Sequence, residues 1–546
     1  MMARLWRRLR SDSAGQHAGE EAVRHTGSRV GRLLLFLALV SACLPAVQPL
    51  LRSEISCGYD NAFHLYRAVQ IEHLWEQGVL FSRWAPDMAH GFGFPLFVFG
   101  PPLAQGLLAL VHRVGLAWPV GMNLVFLIGV ALGGFFMFHL AKTLYGVYGG
   151  GNRAAGLAGG AVATVAYVYS PFLAYDIYNR GSLWESLAWA FPPLVLLGMH
   201  RWSLDRDRRY LVVGVAALAA MILTHYPFAF LFAPVFMLWA LVQGYLRRSW
   251  AVVGRGALLG MLGLGLTAFF WVPALLERSL IQTGRLLGTW VFDYHHNFLP
   301  FSHLLALPRR ADPALVNDWP EKSLGLVPLL VALLPALGWR SLGRLGRWQI
   351  RWQLGTLWVL VAGLSALTLP TSLGVWEHVP LLSFVQFPWR YLGPAAFCLA
   401  LLAGAVPGTL AGSRRGPRFL GWVTAALISV LVVANLGWFY PSFCSVPGDL
   451  TVEGIIRWER LTDTLGTTAK GEYLPIWVER FPDVIRITSA STLTTATPSP
   501  TRRSGVSPKA TLITCAPAVT WKVTKPVPSS GPTGTGSPST VTRHPG

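Results

Sequence analysis

The chain has 546 residues, of which 53% are hydrophobic and 13% are charged, and its mean hydropathy is +0.46. A soluble domain of this size has no core large enough to hide so much apolar surface, so the composition predicts a protein of the lipid bilayer. The net charge of +20 does not indicate a nucleic-acid partner, because Lys and Arg stand at the ends of apolar runs and do not form one basic face.

The N-terminal 30 residues are polar and basic and predict a disordered cytoplasmic segment. The apolar run 31–51 that follows fits either a signal peptide or an anchoring helix, and Val40 to Cys43 has the form of a lipoprotein cleavage site. The run continues for about eight residues past Cys43, which is longer than a typical signal core. We therefore expect an uncleaved first span.

Apolar runs of about 20 residues, the length that crosses a bilayer, recur as far as residue 440. The run 96–112 is rejected as a span, because Pro101 and Pro102 interrupt it and only about ten residues remain before His112. With that run at the outer face, the short inside segments hold 23 Lys and Arg residues and the outer loops before the C-terminal tail hold 11, in line with the positive-inside rule. The predicted spans are 31–51, 118–141, 154–172, 185–200, 210–224, 227–246, 251–272, 323–339, 353–369, 391–412 and 419–440.

The sequence thus predicts an all-α polytopic bundle of about eleven transmembrane helices in the plasma membrane, with the N-terminus cytoplasmic and the C-terminus extracytoplasmic. A small outer segment follows the last span, and the tail after it is rich in Ser, Thr, Pro and Gly and contains no Asp or Glu, which predicts disorder. A glycosylated stalk and a change of reading frame both fit that tail. The predicted boundaries are 1–30 for the N-terminus, 31–440 for the membrane domain, with outer loops at 52–117 (re-entrant or interfacial), 172–184 and 273–322, then 441–486 for the outer segment and 487–546 for the tail.

Charged side chains in the first outer loop form a candidate site. Asp60, His64 and Arg67 are spaced i, i+4 and i+7, so on a helix they share one face. This brings together a carboxylate, a titratable imidazole and a cation. The alternative for Asp60 is that its side chain caps the helix, a role that Asp often has.

The second outer loop is short and charged, with Asp176, Arg180 and Glu185 within ten residues. The predicted topology puts this loop on the same side of the membrane as the first outer loop. Simpler readings remain open: Arg180 and Glu185 form a structural ion pair, and Asp176 ends a helix.

The cysteines are five in number and far apart. None has the spacing of a metal site, such as two cysteines separated by two residues, so they predict neither a redox nor a metal function. They are Cys43, Cys57, Cys398, Cys444 and Cys515.

Several short motifs resemble a known family. They are Tyr59-Asp60 with His64, Arg83-Trp84 with Asp87, Gly91 to Pro95, Arg180-Gly181 with Glu185, Thr224-His225, Phe387 to Arg390, and Gly471 to Pro475. Over about residues 30 to 486 the chain resembles bacterial membrane proteins labelled 6-pyruvoyl-tetrahydropterin synthase-related, and more broadly the C-type membrane glycosyltransferases. The label implies no pterin chemistry here, because such a synthase needs a zinc site of three histidines and the sequence has no such cluster.

The resemblance to C-type glycosyltransferases implies transfer of a sugar from a polyprenyl-phosphate donor to an extracytoplasmic acceptor. A lipid phosphate leaves as a stable anion and needs cations, whereas the acceptor hydroxyl needs a base. On this basis Asp60 is the expected base or metal ligand, with His64 as the alternative base. The other expected residues are Asp176 as second acid or metal ligand, if a divalent cation is used as cofactor, and Arg67, Asp87, Arg180, Glu185 and Arg390 for substrate binding.

Two further classes of function remain open. A non-catalytic membrane protein of envelope assembly fits the same sequence, because a fold shared with enzymes does not prove activity. A transporter or flippase fits less well, since transporters place ionisable groups near the bilayer midplane and the predicted spans hold almost none.

Overall fold

The computed structural model describes residues 30–31, 33–148, 153–282, 284, 292–308, 322–339, 348–411, 417–446, 448–466 and 471–478. The predicted tail 487–546 and nearly all of the predicted N-terminal segment lie outside these residues. Helices dominate the described part of the chain. In order along the chain they are α1 (Leu33–Leu51), α2 (Asn61–Glu76), α3 (Leu103–Arg113), α4 (Trp118–Tyr148), α5 (Arg153–Val168), α6 (Leu183–Ala188), α7 (Phe191–Asp205), α8 (Arg208–Leu246), α9 (Trp250–Leu266), α10 (Ala268–Leu276), α11 (Leu326–Leu333), α12 (Trp348–Ala366), α13 (Leu373–His378), α14 (Leu392–Ala411), α15 (Pro417–Asn435) and α16 (Val452–Thr462).

Six helices among the described residues are long and apolar enough to cross a membrane, or up to eight if each of two bent helix pairs is one span. The prediction of a multi-pass helical membrane protein is confirmed. The count of eleven stays a prediction. The rejected run 96–112 forms a four-residue helix, Leu96–Phe99, and then α3, which has 11 residues and is too short to span a bilayer.

The long helix α8 reverses direction at His225, whose backbone is extended (φ −160°, ψ 92°). A Cβ built at Gly256 of α9 would lie 3.3 Å from Cβ of Ala240, and one built at Gly263 would lie 2.6 Å from Leu218. Residues 218 and 240 would be about 33 Å apart in a straight helix, whereas residues 256 and 263 of α9 are about 10 Å apart. The two halves of α8 therefore run side by side, as the separate predicted spans 210–224 and 227–246 require.

The segment predicted as the second outer loop, 172–184, is mostly helical. A short helix, Pro171–Ala174, continues α5, and a π-helix, Tyr175–Arg180, follows it. Pro171 is the first residue of the helix Pro171–Ala174, a position where the backbone N–H has no partner within the helix and its absence is not unfavourable. The loop proper is Gly181 and Ser182, and Ser182 caps α6 by accepting a hydrogen bond from the Glu185 N–H at 3.4 Å.

Close glycine contacts hold the centre of the bundle together. A Cβ built at Gly156 of α5 would lie 2.8 Å from the Gly146 Cα of α4, and one at Gly159 would lie 2.7 Å from the Gly404 carbonyl of α14. Such small residues let helix backbones approach closely inside a membrane. α5 is consequently buried among its neighbours, and it continues directly into the π-helix.

Two of the cysteines, for which the sequence predicts no role, are paired in the structure. Cys57 and Cys444 form a disulfide across 387 residues, beside strands β1 (Ile55–Ser56) and β2 (Phe443–Cys444), which pair antiparallel. Spacing along the chain gives no hint of this pair, because only the folded chain brings the two strands together. The disulfide fixes the segment after α15 next to the start of α2.

Candidate active site

Two glycines let the first and second outer segments meet. Gly181 has φ +69°, and a Cβ built there would lie 1.9 Å from Oδ1 of Asn61; a Cβ at Gly58 would lie 2.7 Å from the Gly181 Cα. Because neither position has a side chain, the backbones touch, and the Asp60 N–H donates to the Arg180 carbonyl at 2.8 Å. This contact places Asp60 beside the end of the π-helix.

Arg180 binds three carboxylates at this junction. Its Nε donates to Oδ2 of Asp60 at 3.0 Å, and its Nη1 lies 3.0 Å from Oδ1 of Asp176 and 2.8 Å from Oε2 of Glu185. Asp176 lies one π-helix turn before Arg180, which explains that part of the arrangement locally. The structural ion pair between Arg180 and Glu185 is therefore present, as one member of a larger network.

A second arginine completes the network. Nε of Arg390 lies 3.1 Å from Oε1 of Glu185, and Nη1 of Arg390 donates to the Val385 carbonyl at 3.0 Å. Nδ1 of His225, at the reversal of α8, lies 3.6 Å from the same Glu185 oxygen. We call Asp60, Asp176, Arg180, Glu185 and Arg390 the ionic cluster.

The members of the ionic cluster differ in exposure. Asp176, Arg180, Glu185 and Arg390 are buried, whereas the Asp60 side chain is 16% exposed. The three carboxylates exceed the two guanidinium groups by one charge, and the ion pairs between them offset part of the cost of burying charge. Asp60 is the carboxylate that an outside molecule can approach.

The Asp60 carboxylate does not cap α2. Asp60 stands at the N-cap position, but its side chain makes no capping hydrogen bond and binds Arg180. Burial raises the pKa of Asp60 above its usual range, while the Arg180 and Arg390 charges oppose that rise. A carboxylate with a raised pKa is a better proton acceptor than an ordinary exposed Asp.

His64 and Arg67 of α2 both pack against the Trp184 ring. His64 is buried, its Nδ1 lies 2.9 Å from the Gln105 amide nitrogen, and its ring packs edge-on to Trp184. Burial lowers the pKa of the imidazole well below its usual range, and the Arg67 and Arg180 charges lower it further. His64 is neutral and weakly basic, which makes it a poorer base than Asp60.

Arg67 lies between two aromatic rings, 4.6 Å from the Phe63 ring centroid and 4.9 Å from that of Trp184. Burial lowers the pKa of its guanidinium to about 10, and Glu472 and Tyr473 of the C-terminal segment act against that lowering. Asp87 instead accepts from Gln70 of α2 at 2.8 Å and lies 3.8 Å from His73. The contacts of Asp87 tie its turn to α2.

The expected pair of metal ligands, Asp60 and Asp176, does not fit a divalent cation in this arrangement. The Arg180 guanidinium binds both carboxylates, so a cation there would meet an existing positive charge. Over the described part of the chain, no group of three or more His, Cys, Asp or Glu side chains is placed to hold a metal ion.

Lys322 and Trp389 are site residues that the sequence analysis did not single out. Nζ of Lys322 lies 5.2 Å from the Trp389 ring centroid and 5.3 Å from that of Tyr175, and Arg180 lies over the same Trp389 ring at 5.5 Å. Within the described residues, no carboxylate lies at ion-pair distance from Lys322. Trp389 stands beside Arg390 in a quoted motif, whereas nothing in the sequence near Lys322 marks it.

The helices and the ionic cluster define a polytopic membrane protein with a charged, largely buried site at one end of its bundle. Residues 91–440 match the family of the bacterial membrane protein YfhO. This match covers more than half of the chain, which therefore belongs to the YfhO family. The matched range includes every member of the ionic cluster except Asp60.

Individual proteins resemble the chain more weakly. A protein of Lactococcus lactis subsp. cremoris (strain MG1363), described as uncharacterized, is 23% identical over 248 residues, 44% of this chain and 39% of that protein. The chain thus spans about two fifths of the length of this curated relative.

Two solved structures are similar at low identity. The mycobacterial arabinofuranosyltransferase AftD has a TM-score of 0.46 and 17% identity, with 75% of this chain and 27% of that chain covered. ArnT from Cupriavidus metallidurans, bound to undecaprenyl phosphate, has a TM-score of 0.35 and 15% identity, with 77% and 75% covered. Both TM-scores are below 0.5, a level that does not establish a shared fold.

Proposed function

We propose that the protein transfers a sugar from a polyprenyl-phosphate donor to an extracytoplasmic acceptor, with Asp60 as the general base. The observation on which this proposal rests is the partly exposed Asp60 carboxylate, bound to Arg180 at the edge of a buried ionic cluster. The motif resemblance to C-type membrane glycosyltransferases supports the same reaction. The narrower resemblance to the pterin synthase-related label remains a prediction.

In the proposed reaction the acceptor hydroxyl gives its proton to Asp60 while its oxygen bonds to the anomeric carbon of the sugar. The bond from that carbon to the phosphate oxygen breaks, and the electron pair leaves with the polyprenyl phosphate. Protonation of Asp60 removes one negative charge from the ionic cluster. The site thereby becomes more positive as the phosphate anion forms, which favours departure of the leaving group.

Lys322 is the cation proposed to receive the leaving phosphate. The sequence pointed to Arg180 or Arg390, but both use their Nε and Nη1 atoms for carboxylates or a carbonyl. Burial lowers the pKa of the Lys322 ammonium, and the Arg180 charge lowers it further. A phosphate anion beside Lys322 would oppose this lowering of the pKa, because a nearby negative charge stabilises the ammonium form.

We further propose that this end of the bundle faces outside the cytoplasm. The Cys57–Cys444 disulfide, three residues from Asp60, needs an oxidising compartment to form and persist. The excess of Lys and Arg in the opposite loops supports the same orientation. The N-terminus would then be cytoplasmic.

Complementation of a deletion strain tests the proposed function. Cells carrying Asp60→Asn should lose the envelope glycan that wild type restores, because the amide cannot accept the proton. Asp449→Asn is the matched control, since Asp449 is an exposed acid that lies 3.8 Å from Arg457 outside the ionic cluster. Normal glycan in Asp60→Asn cells that contain normal amounts of the protein would favour the non-catalytic role in envelope assembly.

A further inference from the structure

A polar cavity lies at the end of the bundle opposite the ionic cluster. It has a volume of about 300 Å³ and lies where α7 and α8 end and α9 begins. That volume is at the lower limit of ordinary small-molecule sites. Its lining includes Thr143, His200, Ser203, Arg201, Asp205, Arg206, Arg247 and Arg255.

The cavity is strongly cationic. Arg201 is neutralised by Asp205, whose Oδ2 lies 2.8 Å from its Nε. Arg206, Arg247 and Arg255 have no carboxylate at ion-pair distance within the described residues. The Arg255 guanidinium donates to the Ser203 carbonyl, which fixes it against the wall. The cavity therefore carries a net positive charge of about three, with one wall preorganised for an anion.

Two residues that line this cavity also contain buried polar atoms. His200 is 6% exposed and Ser203 is 4% exposed, and both line the cavity. Nδ1 of His200 and Oγ of Ser203 have no hydrogen-bond partner among the described residues. Buried polar groups are normally hydrogen-bonded, so these two enclosed atoms leave hydrogen-bonding capacity unused in the wall, and the charges of the arginines remain the groups that a ligand would meet.

Nearby aromatic side chains place the cavity at the level of lipid headgroups. Trp250, at the start of α9, is 82% exposed, and Tyr245, near the end of α8, is 63% exposed. Exposed Trp and Tyr at helix ends are typical of the membrane interface. Basic pockets between helix ends at that level suit phosphate-bearing headgroups.

We propose that this cavity binds a phosphate group, with an anionic lipid headgroup as its source. Arg206, Arg247 and Arg255 hold the phosphate oxygens. The site is separate from the proposed transfer site, because Glu185 lies in α6, ahead of the first residue of α7, whereas Arg201 lies near the last residue of α7. Its occupancy is independent of Asp60.

Lipid titration of the purified full-length protein in neutral detergent tests this proposal. Phosphatidylglycerol should raise the unfolding temperature, and phosphatidylcholine should not. The variant Arg206→Gln/Arg247→Gln should weaken phosphatidylglycerol binding about tenfold or more, since two exposed cationic contacts are lost. Within the described part of the chain neither arginine is in an ion pair, so the variant should unfold at the wild-type temperature when no lipid is added.

Arg208→Gln/Arg209→Gln is the matched control, because it removes two charges from the same end of the bundle at exposed positions that do not line the cavity. It should bind phosphatidylglycerol within about twofold of wild type. A second titration uses inorganic phosphate in place of lipid. Free phosphate is identified as the source if it raises the unfolding temperature of wild type but not that of Arg206→Gln/Arg247→Gln, and if phosphatidylglycerol has no effect on either protein. The proposal is overturned if the Arg206→Gln/Arg247→Gln and Arg208→Gln/Arg209→Gln variants show the same change of unfolding temperature with lipid and with inorganic phosphate.

Discussion

Glu185 is the residue on which the ionic cluster depends most, because its two oxygens bind two different arginines. Such a residue is expensive to change, since each guanidinium it leaves behind is buried. The Asp60 carboxylate, by contrast, pairs with Arg180 alone among the described residues and is partly exposed. The same cluster thus contains one carboxylate that stabilises the site and another that is available for chemistry.

Glu185→Gln is expected to lower the free energy of unfolding by about 3–5 kcal/mol, the usual cost of leaving a buried charge unpaired. Thermal or denaturant unfolding in detergent measures this change. Asp449→Asn, which breaks an exposed pair, should change it by less than about 1 kcal/mol. Equal effects of the two substitutions would show that the buried network contributes nothing to stability.

His64 should make the protein sensitive to acid. Its pKa is lowered in the folded state, whereas in the unfolded chain it is about 6.5, so protons bind the unfolded chain first as pH falls. The stability due to neutral His64 is complete above pH of about 6.5 and is lost below it. When the pH is lowered from 8 to 5, the unfolding temperature of His64→Gln should therefore fall less than that of wild type.

Unfolding curves at the two pH values test the role of His64, with the exposed His378→Gln variant as control. The control should follow wild type. An identical loss of unfolding temperature in wild type and His64→Gln would mean that His64 does not resist protonation in the fold.

At the scale of the elements, features formed by residues close together in the sequence were predicted, whereas contacts between residues far apart in the sequence were not. Apolar runs predicted α4, α12, α14 and α15 closely, because hydropathy is a local property. The grouping of Asp176, Arg180 and Glu185 was also local. The Glu185–Arg390 pair and the Lys322 contacts arise only when distant helices pack, so residue spacing could not place them.

The π-helix and the reversal at His225 are further features that periodicity alone did not give. A π-helix departs from the usual helical spacing, and in this chain it is stabilised at its end by the Arg180 network. The prediction of two separate spans around residue 225 nevertheless matched the side-by-side halves of α8. Pro227, which follows closely, was a local indication of the break.

Gly181→Ala should separate the two outer segments. The added methyl group meets Asn61, and alanine at φ +69° costs about 1–2 kcal/mol in backbone strain. We expect reduced sugar transfer together with a lower unfolding temperature. Gly363→Ala is the control, since nothing lies within 4 Å of that position on α12 and alanine favours helix. Wild-type activity in Gly181→Ala would show that sugar transfer does not need the close backbone contact at Gly181.

At the scale of the whole molecule, the Cys57–Cys444 disulfide joins the beginning of the membrane domain to the segment that leaves it. Alkylation of the denatured protein should detect two additional thiols after reduction, because Cys43 and Cys398 are already free. Cys57→Ser should lower the unfolding free energy by about 2–4 kcal/mol. The control variant Cys398→Ala should still gain two thiols on reduction. If reduction adds no thiols to the wild-type protein, Cys57 and Cys444 are not paired.

The arrangement of the bundle places two sites at opposite ends of α7. The reversal of α8 at His225 lies beside the ionic cluster, and both ends of α8 lie beside the cationic cavity. The ionic cluster lies at the end with the disulfide, and the cationic cavity lies at the end where Lys and Arg are concentrated. The proposed orientation puts chemistry outside and phosphate binding inside. A disulfide that forms in the cytoplasm would reverse this assignment.

The rate of sugar transfer by purified Asp60→Asn in proteoliposomes is the most direct test of the central claim. With a polyprenyl-phosphate sugar donor, the released polyprenyl phosphate measures turnover. Loss of the general base should reduce turnover by about 10²- to 10⁴-fold, with Asp449→Asn equal to wild type. Wild-type turnover by a correctly folded Asp60→Asn protein would contradict the role of Asp60.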